Sequence, residues 1–394
     1  MKLNSFISYS FLILFSLYTF GRFSEEEYNI VFNVYGMFYI SFFYLIFSLI
    51  NSAQLRIFFK TRLNIFCLFA LAIATINGFL NNNDSYWIKE DLFRIILVYC
   101  GISTVFLWPK KYIMDKNSPL YLITIFYLIS ILVKHFNHGF PEIFTERFTS
   151  YTTIAFSFMI IPLSFFNLVK NKILGKSNRK LIIMIFFIFF YEIFISFLRT
   201  NILSIFIGIL MYLGINKSKN KPHLDFILKA FFLIIIIFSI TPFLFLINSS
   251  YLDRSISNYY RLYEAGWVFQ NYIINEPLFG FGLGKTYTAP DTGDLIRNNI
   301  HIGLFTILLK FGFLGLVFLF YLISKYILKY LAFSGSREKF FSEKQLFIAT
   351  PITIWFIIFT LSTGSHPEQM LMLGLIIGSY LELNNLLEYL NNNS

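Results

Sequence analysis

Apolar residues in this chain gather into long runs separated by short polar stretches, and the runs lack the strict alternation of a half-buried strand. Runs of this length predict membrane-crossing helices and exclude the weak alternating segments of a barrel. Twelve spans are expected, at 5–23, 28–50, 63–80, 92–108, 120–133, 151–169, 181–198, 200–215, 226–247, 300–324, 346–361 and 370–390. The fold class that follows is all-α, a polytopic integral membrane helical bundle. It divides into nine helices over 1–247, a large polar interruption at 248–299, and three helices over 300–394.

Composition agrees with this pattern. With 57% hydrophobic and 13% charged residues, the chain is too apolar for an ordinary soluble surface. The run after Met1-Lys2-Leu3-Asn4 has no small-residue cleavage site behind it, so the first span is expected to stay in the protein. Cys67 and Cys100 both fall inside expected spans, which argues for buried thiols and against a disulfide framework or a zinc site.

Net charge of +11 raises the question of nucleic acid, and its distribution answers it. With the N-terminus cytoplasmic, the inner segments carry 20 lysines and arginines against four acids, and the outer segments carry eight against fourteen. That asymmetry is the positive-inside signature. It puts both termini in the cytoplasm and the 248–299 loop outside, and it makes an anionic lipid bilayer, with no nucleic acid, the partner of the basic excess.

The outer loop holds most of the candidate chemistry. From 257 to 276 it reads as an amphipathic helix ended by Pro277, with Tyr259, Leu262, Tyr263, Gly266, Trp267 and Ile273 on one side and Arg261, Glu264, Asn271 and Asn275 on the other. Its apolar side suits the outer membrane interface. Next comes a glycine at every second position, Gly280, Gly282 and Gly284, a spacing that permits left-handed backbone or close approach of main chain to a ligand.

Several ionisable groups stand at or beside membrane depth, where each needs a partner or a task. Glu192 lies in the seventh span, seven residues before Arg199, on the same face of a continuous helix. Arg199 occupies the following outer turn, Arg254, Arg261 and Arg297 lie in the loop, and His301 opens the tenth span. Lys310 faces the bundle interior. Arginine donates paired hydrogen bonds to phosphate oxygens, and histidine exchanges a proton near neutrality. Asp291 and Asp294 read as solvated turn residues, and His135, His138 and His366 lack ligand spacing, so no metal or other cofactor is expected.

Taken together, these residues resemble the O-antigen polymerase and O-antigen ligase superfamily, with its GT-C-like architecture. The resemblance rests on Arg199-Thr200, on Arg261 with Trp267, on the run from Pro277 to Gly284, and on His301 followed at fixed spacing by Gly312 and Gly315. In the ligases the histidine is followed by a polar residue; Ile302 stands there in this chain, which favours the polymerase. The resemblance implies a metal-independent, inverting glycosyltransferase of the bacterial inner membrane. Its donor and acceptor would be undecaprenyl-pyrophosphate-linked glycans, with a chain-length regulator as a further partner. It implies Arg199, Arg261 and His301 as catalytic residues, and Glu192, Arg254, Trp267, Gly280, Gly282, Gly284 and Arg297 as substrate-binding ones. The alternatives are a ligase to lipid A-core and, outside enzymes, a flippase for lipid-linked oligosaccharide.

Overall fold

The computed structural model describes residues 3–28, 34–107, 119–138, 151–173, 179–196, 199–214, 251–288, 296–333 and 366–392, with a few helical positions between 351 and 358. The described chain is predominantly helical. In order, the helices are α1 (Leu3–Tyr28), α2 (Val34–Asn51), α3 (Ala53–Phe59), α4 (Arg62–Leu80), α5 (Ser85–Leu107), α6 (Pro119–His138), α7 (Tyr151–Ile173), α8 (Arg179–Tyr191), α9 (Arg199–Gly214), α10 (Tyr251–Val268), α11 (Gly303–Phe333) and α12 (Pro367–Asn392). Helix α8 runs into a π-helical turn at Glu192–Ser196, and α10 into another at Phe269–Ile273. One short antiparallel pair, β1 (Tyr287–Thr288) with β2 (Ile296–Arg297), aligns Tyr287 with Arg297.

Every expected span has a described helix except the ninth, 226–247, which lies outside the described residues, and the eleventh, of which only isolated positions are described. Their lengths depart from expectation. By length and composition alone, among the described residues one helix, α1 (over Leu3–Gly21), is long and apolar enough to cross a membrane, or up to two spans are present if the pair α2–α3 counts as one across its 107° bend. Three helices carry local departures from a plain apolar span. Ser52, between α2 and α3, takes extended backbone (φ −119°, ψ 109°) and caps α3 by accepting the Leu55 N–H. Helix α5 begins earlier than expected and carries Lys89, Glu90, Asp91 and Arg94 in its first turns. Helix α11 is interrupted at Gly312.

The arrangement of polar and apolar groups across the helices is unlike that of a soluble bundle. Large apolar side chains such as Phe43, Phe69, Phe136, Phe187 and Val317 are exposed, while Ser16, Thr19, Ser48, Ser103 and Thr104 are buried between helices. Each of these hydroxyls is satisfied locally, as when Ser16 donates to the Leu12 carbonyl (2.8 Å) and Thr104 to the Cys100 carbonyl (2.8 Å). The main core joins α1, α2, α5, α6, α7, α8, α9 and α12 around Phe15, Phe93, Tyr127, Phe156 and Phe165. A second cluster unites α10, its π turn, Tyr287, Ile300 and α11, and a third seats Leu283 between Ala74 and Ile88.

Helices α5 and α12 pack most closely, through the small residues Gly101, Gly374 and Gly378, the last two at a Gly-x-x-x-Gly spacing. A methyl at Gly374 would stand 2.0 Å from the Val98 carbonyl oxygen. Gly374→Val should therefore destabilise the purified protein by about 1–3 kcal/mol or more, the usual cost of overpacking. Gly36→Ala, where nothing lies within 4 Å, should cause no loss. Thermal unfolding midpoints in detergent compare the two.

Candidate functional site

The loop expected to lie over the bundle is instead built into it. Gly280, Gly282 and Gly284 have positive φ (67°, 81° and 78°), so the left-handed reading of their spacing holds, and they allow a close approach of main chain to neighbouring helices. A methyl at Gly282 would stand 2.1 Å from the Gly78 nitrogen of α4, and one at Gly280 2.7 Å from the Gly312 nitrogen of α11. These three glycines thus have a packing role.

Their counterpart is the interruption of α11. Positive φ at Gly312 (63°) removes the helical bonds that Phe313 and Leu314 would make to Leu309 and Lys310. All four groups find substitutes on the glycine segment. Phe313 N donates to Pro277 O (2.8 Å) and Leu314 N to Leu278 O (3.2 Å), while Leu309 O accepts from Phe281 N (2.9 Å) and Lys310 O from Gly282 N (3.1 Å). Asn77 and Asn83 add side-chain bonds to the carbonyls of Gly280, Phe281 and Leu283. Helix α11 is accordingly two helical pieces spliced through another segment of chain.

Beside the splice lies a buried charged set. Arg94 of α5 donates to Glu90 and, through Nη1, to Asp91 Oδ1 (3.0 Å) and Asn299 Oδ1 (3.0 Å). Lys310 Nζ reaches the same two atoms at 2.6 and 3.5 Å. Asp91 Oδ2 accepts the Gly284 N–H (2.8 Å), and Asn298 donates to Glu90 (3.3 Å). Two carboxylates thus balance two cations, the condition under which buried charge is tolerated. Glu90 and Asp91 are the residues of this set that sequence reasoning missed, although Glu90 and Arg94 at i, i+4 spacing are a readable pairing signal.

The second polar centre is Glu264 on α10, 2% exposed at its side chain. Its Oε1 accepts from Tyr287 Oη (2.7 Å) and Arg297 Nη1 (2.8 Å), and its Oε2 from the backbone N (3.0 Å) and Nδ1 (2.7 Å) of His301. The amphipathic reading of this helix needs correction. Glu264, expected on the polar side, is buried with Ala265 and Val268, whereas Leu262 and Tyr263, on the apolar side expected at the outer membrane interface, are exposed. The buried face closes on Tyr287, Ile300 and Leu309, so the carboxylate is enclosed by its partners. His301 does not open a helix; it stands two residues ahead of α11, with its ring about a third exposed (31%). With Nδ1 given to Glu264, its Nε2 has no partner among the described residues.

The remaining expected residues separate by location. Arg297 is tied to Glu264, so its charge is already engaged. Arg261 lies one turn before Glu264 on α10, and Trp267 packs at the edge of the same cluster against Tyr272. Lys285 rests over the rings of Tyr272 and Phe281 at 5.2 and 4.6 Å, and burial lowers its ammonium pKa. Glu192 is fully buried in the π turn, where Tyr127 and Asn201 (2.6 Å) donate to it. That turn ends the regular helix between Glu192 and Arg199, so a shared face does not follow from their spacing. The side chains of Arg199 and Arg254 lie outside the described residues, as do Asp291 and Asp294. The convergence of Arg199 with Arg261 and His301 is therefore an expectation only. Among the described residues no group of three or more His, Cys, Asp or Glu suits a metal ion.

Burial by itself would raise the Glu264 pKa, but the hydrogen bonds and charge of His301, joined by the Tyr287 hydroxyl, hold it down to about 2 from the ordinary 4.5. The folded value lies below the unfolded one, so the stability this group contributes is complete above the unfolded pKa and is lost as pH falls through the folded pKa. The thermal midpoint should fall from about pH 4.5 towards pH 2, and Glu264→Gln should remove that part of the slope. Melting curves of both proteins across this range provide the check.

No protein-family model, no curated protein and no solved structure matches the chain.

Proposed function

We propose that this chain is a membrane-embedded, inverting glycosyltransferase that polymerises undecaprenyl-pyrophosphate-linked oligosaccharide repeat units at the outer face of the bacterial inner membrane. The observation that carries the reading is the Glu264–His301 pair. A buried carboxylate fixes Nδ1 of a part-exposed imidazole and leaves Nε2 as the acceptor, the arrangement a general base requires.

The membrane setting is supported by the positive-inside charge pattern, by exposed apolar side chains and by hydroxyls buried between helices. The twelve-span topology, with both ends cytoplasmic and the loop outside, belongs to the same proposal. In the reaction, His301 Nε2 takes the proton of the attacking sugar hydroxyl while the new glycosidic bond forms at the anomeric carbon. The bond from that carbon to the pyrophosphate oxygen breaks from the opposite face, with the electron pair leaving on undecaprenyl pyrophosphate. Arg199 and Arg261 stabilise the charge that develops there. Glu264 remains ionised and balances the imidazolium.

The test is the surface polysaccharide of a deletion strain complemented with variants. Single repeat units on lipid A-core mark a polymerase; bare core with lipid-linked polymer marks the ligase, and substrate trapped inside marks the flippase. His301→Ala and Glu264→Ala should reduce polymer by about 100-fold or more, the scale of a lost general base, while the protein still inserts. Arg261→Lys should also impair polymer formation, because lysine loses the planar fork. Normal polymer from His301→Ala would end the reading.

A further inference from the structure

The segment from Arg297 to His301 is tied down at every residue, and the ties run to two different charged sets. Arg297 and His301 belong to Glu264. Asn298 and Asn299 belong to the buried group on α5 and α11. Ile300, between them, is fully buried and gives its N–H to Thr306 Oγ1 (2.9 Å). The two sets meet at one residue. Asn299 places its side-chain oxygen between Arg94 and Lys310, and its main-chain oxygen 3.0 Å from the Tyr287 hydroxyl that also contacts Glu264.

The bonds around Asn299 form a small closed figure. Arg94 Nη1 and Lys310 Nζ each lie near both Asp91 Oδ1 and Asn299 Oδ1, so two donors and two acceptors alternate around a ring. The Asn299 amide nitrogen closes the other side on Asn298 Oδ1 (2.8 Å). Such a ring fixes the acceptor in two directions at once, because moving Asn299 stretches a bond to each cation. Two residues further on, the His301 main-chain nitrogen and ring nitrogen both bind one Glu264 oxygen, which restricts the ring to a narrow set of rotamers. The placement of the ring relative to the bundle is then decided by where the backbone of Asn299 is held.

We propose that Asn299, clamped by Arg94 and Lys310, is the positioning residue for the His301 imidazole. The buried charges of α5 and α11 serve the exposed site through this one amide. The inference rests on the function proposed above for its meaning in catalysis, but not for its physical content. A base displaced by about 1 Å loses on the order of 100-fold in rate, so the clamp is worth as much to turnover as a direct contact.

Histidine-labelled nitrogen NMR of the full chain in lipid nanodiscs tests this without assuming any activity. Only five histidines are present, and His301→Gln identifies the signal of interest. In the wild type, His301 should show a single fixed tautomer protonated at Nδ1. Asn299→Ala and Asn299→Ser should both move that signal towards the averaged position of a free imidazole and leave the other four unchanged. With a lipid-linked repeat unit as substrate, kcat of Asn299→Ser should drop about 10–100-fold at nearly constant KM. An unmoved His301 signal in both variants overturns the proposal. So does loss of all five signals in both, which would make Asn299 a folding residue. If the signal moves as expected while His301→Gln retains full turnover, the function proposed above fails and the positioning role stands.

Discussion

Everything around the site depends on how the chain repairs the gap it opens at Gly312. Breaking a helix frees two N–H and two C=O groups, and in an apolar bundle each would cost several kcal/mol if left bare, a cost on the order given for unsatisfied groups in hydrocarbon. The segment from Pro277 to Gly282 meets all four at 2.8–3.2 Å. Because that segment must lie in the groove between α4 and α11, its side chains have to be small at alternate positions. The glycine run is the sequence form of this requirement.

The repair also explains why the polar centres lie where they do. Splicing the loop into α11 carries Gly284 to Asp91 and Leu283 to Ile88, which anchors one end of the loop on α5. From there the chain turns through β1 and β2 and returns past Glu264 to His301. The imidazole is therefore held by a short path between two rigid supports. Loops that carry chemistry need such support, since positioning on a free loop is imprecise.

Much of the architecture was legible in the apolar runs, and the helical class and most helix positions follow from them. His301 and the glycine run also stood out, one as a histidine at the membrane edge and the other by its period of two. What the sequence concealed was the direction of burial. Glu264 sits among arginine and asparagine on an amphipathic pattern, so hydrophobicity alone turns it outward; its enclosure depends on Tyr287, Arg297 and His301, 23 to 37 residues away. Lys310 was expected to face inward, but its partner Asp91 lies far away in sequence, with no local pattern to announce it. The π turns at Glu192 and Phe269 were equally hidden, because a single extra residue per turn leaves composition untouched.

The pairing of Asp91 with Lys310 spans 219 residues, and this has a consequence for biogenesis. At about 5–20 residues per second, the ribosome needs roughly 10–45 s to deliver the lysine after the aspartate has emerged. Through that interval the buried carboxylates Glu90 and Asp91 have the Arg94 guanidinium beside them but not the Lys310 ammonium, and Lys89 on the same helix is exposed. The first turns of α5 must keep these carboxylates in contact with water until α11 arrives. Assembly thus closes from the C-terminal side, with the late helix neutralising an early one.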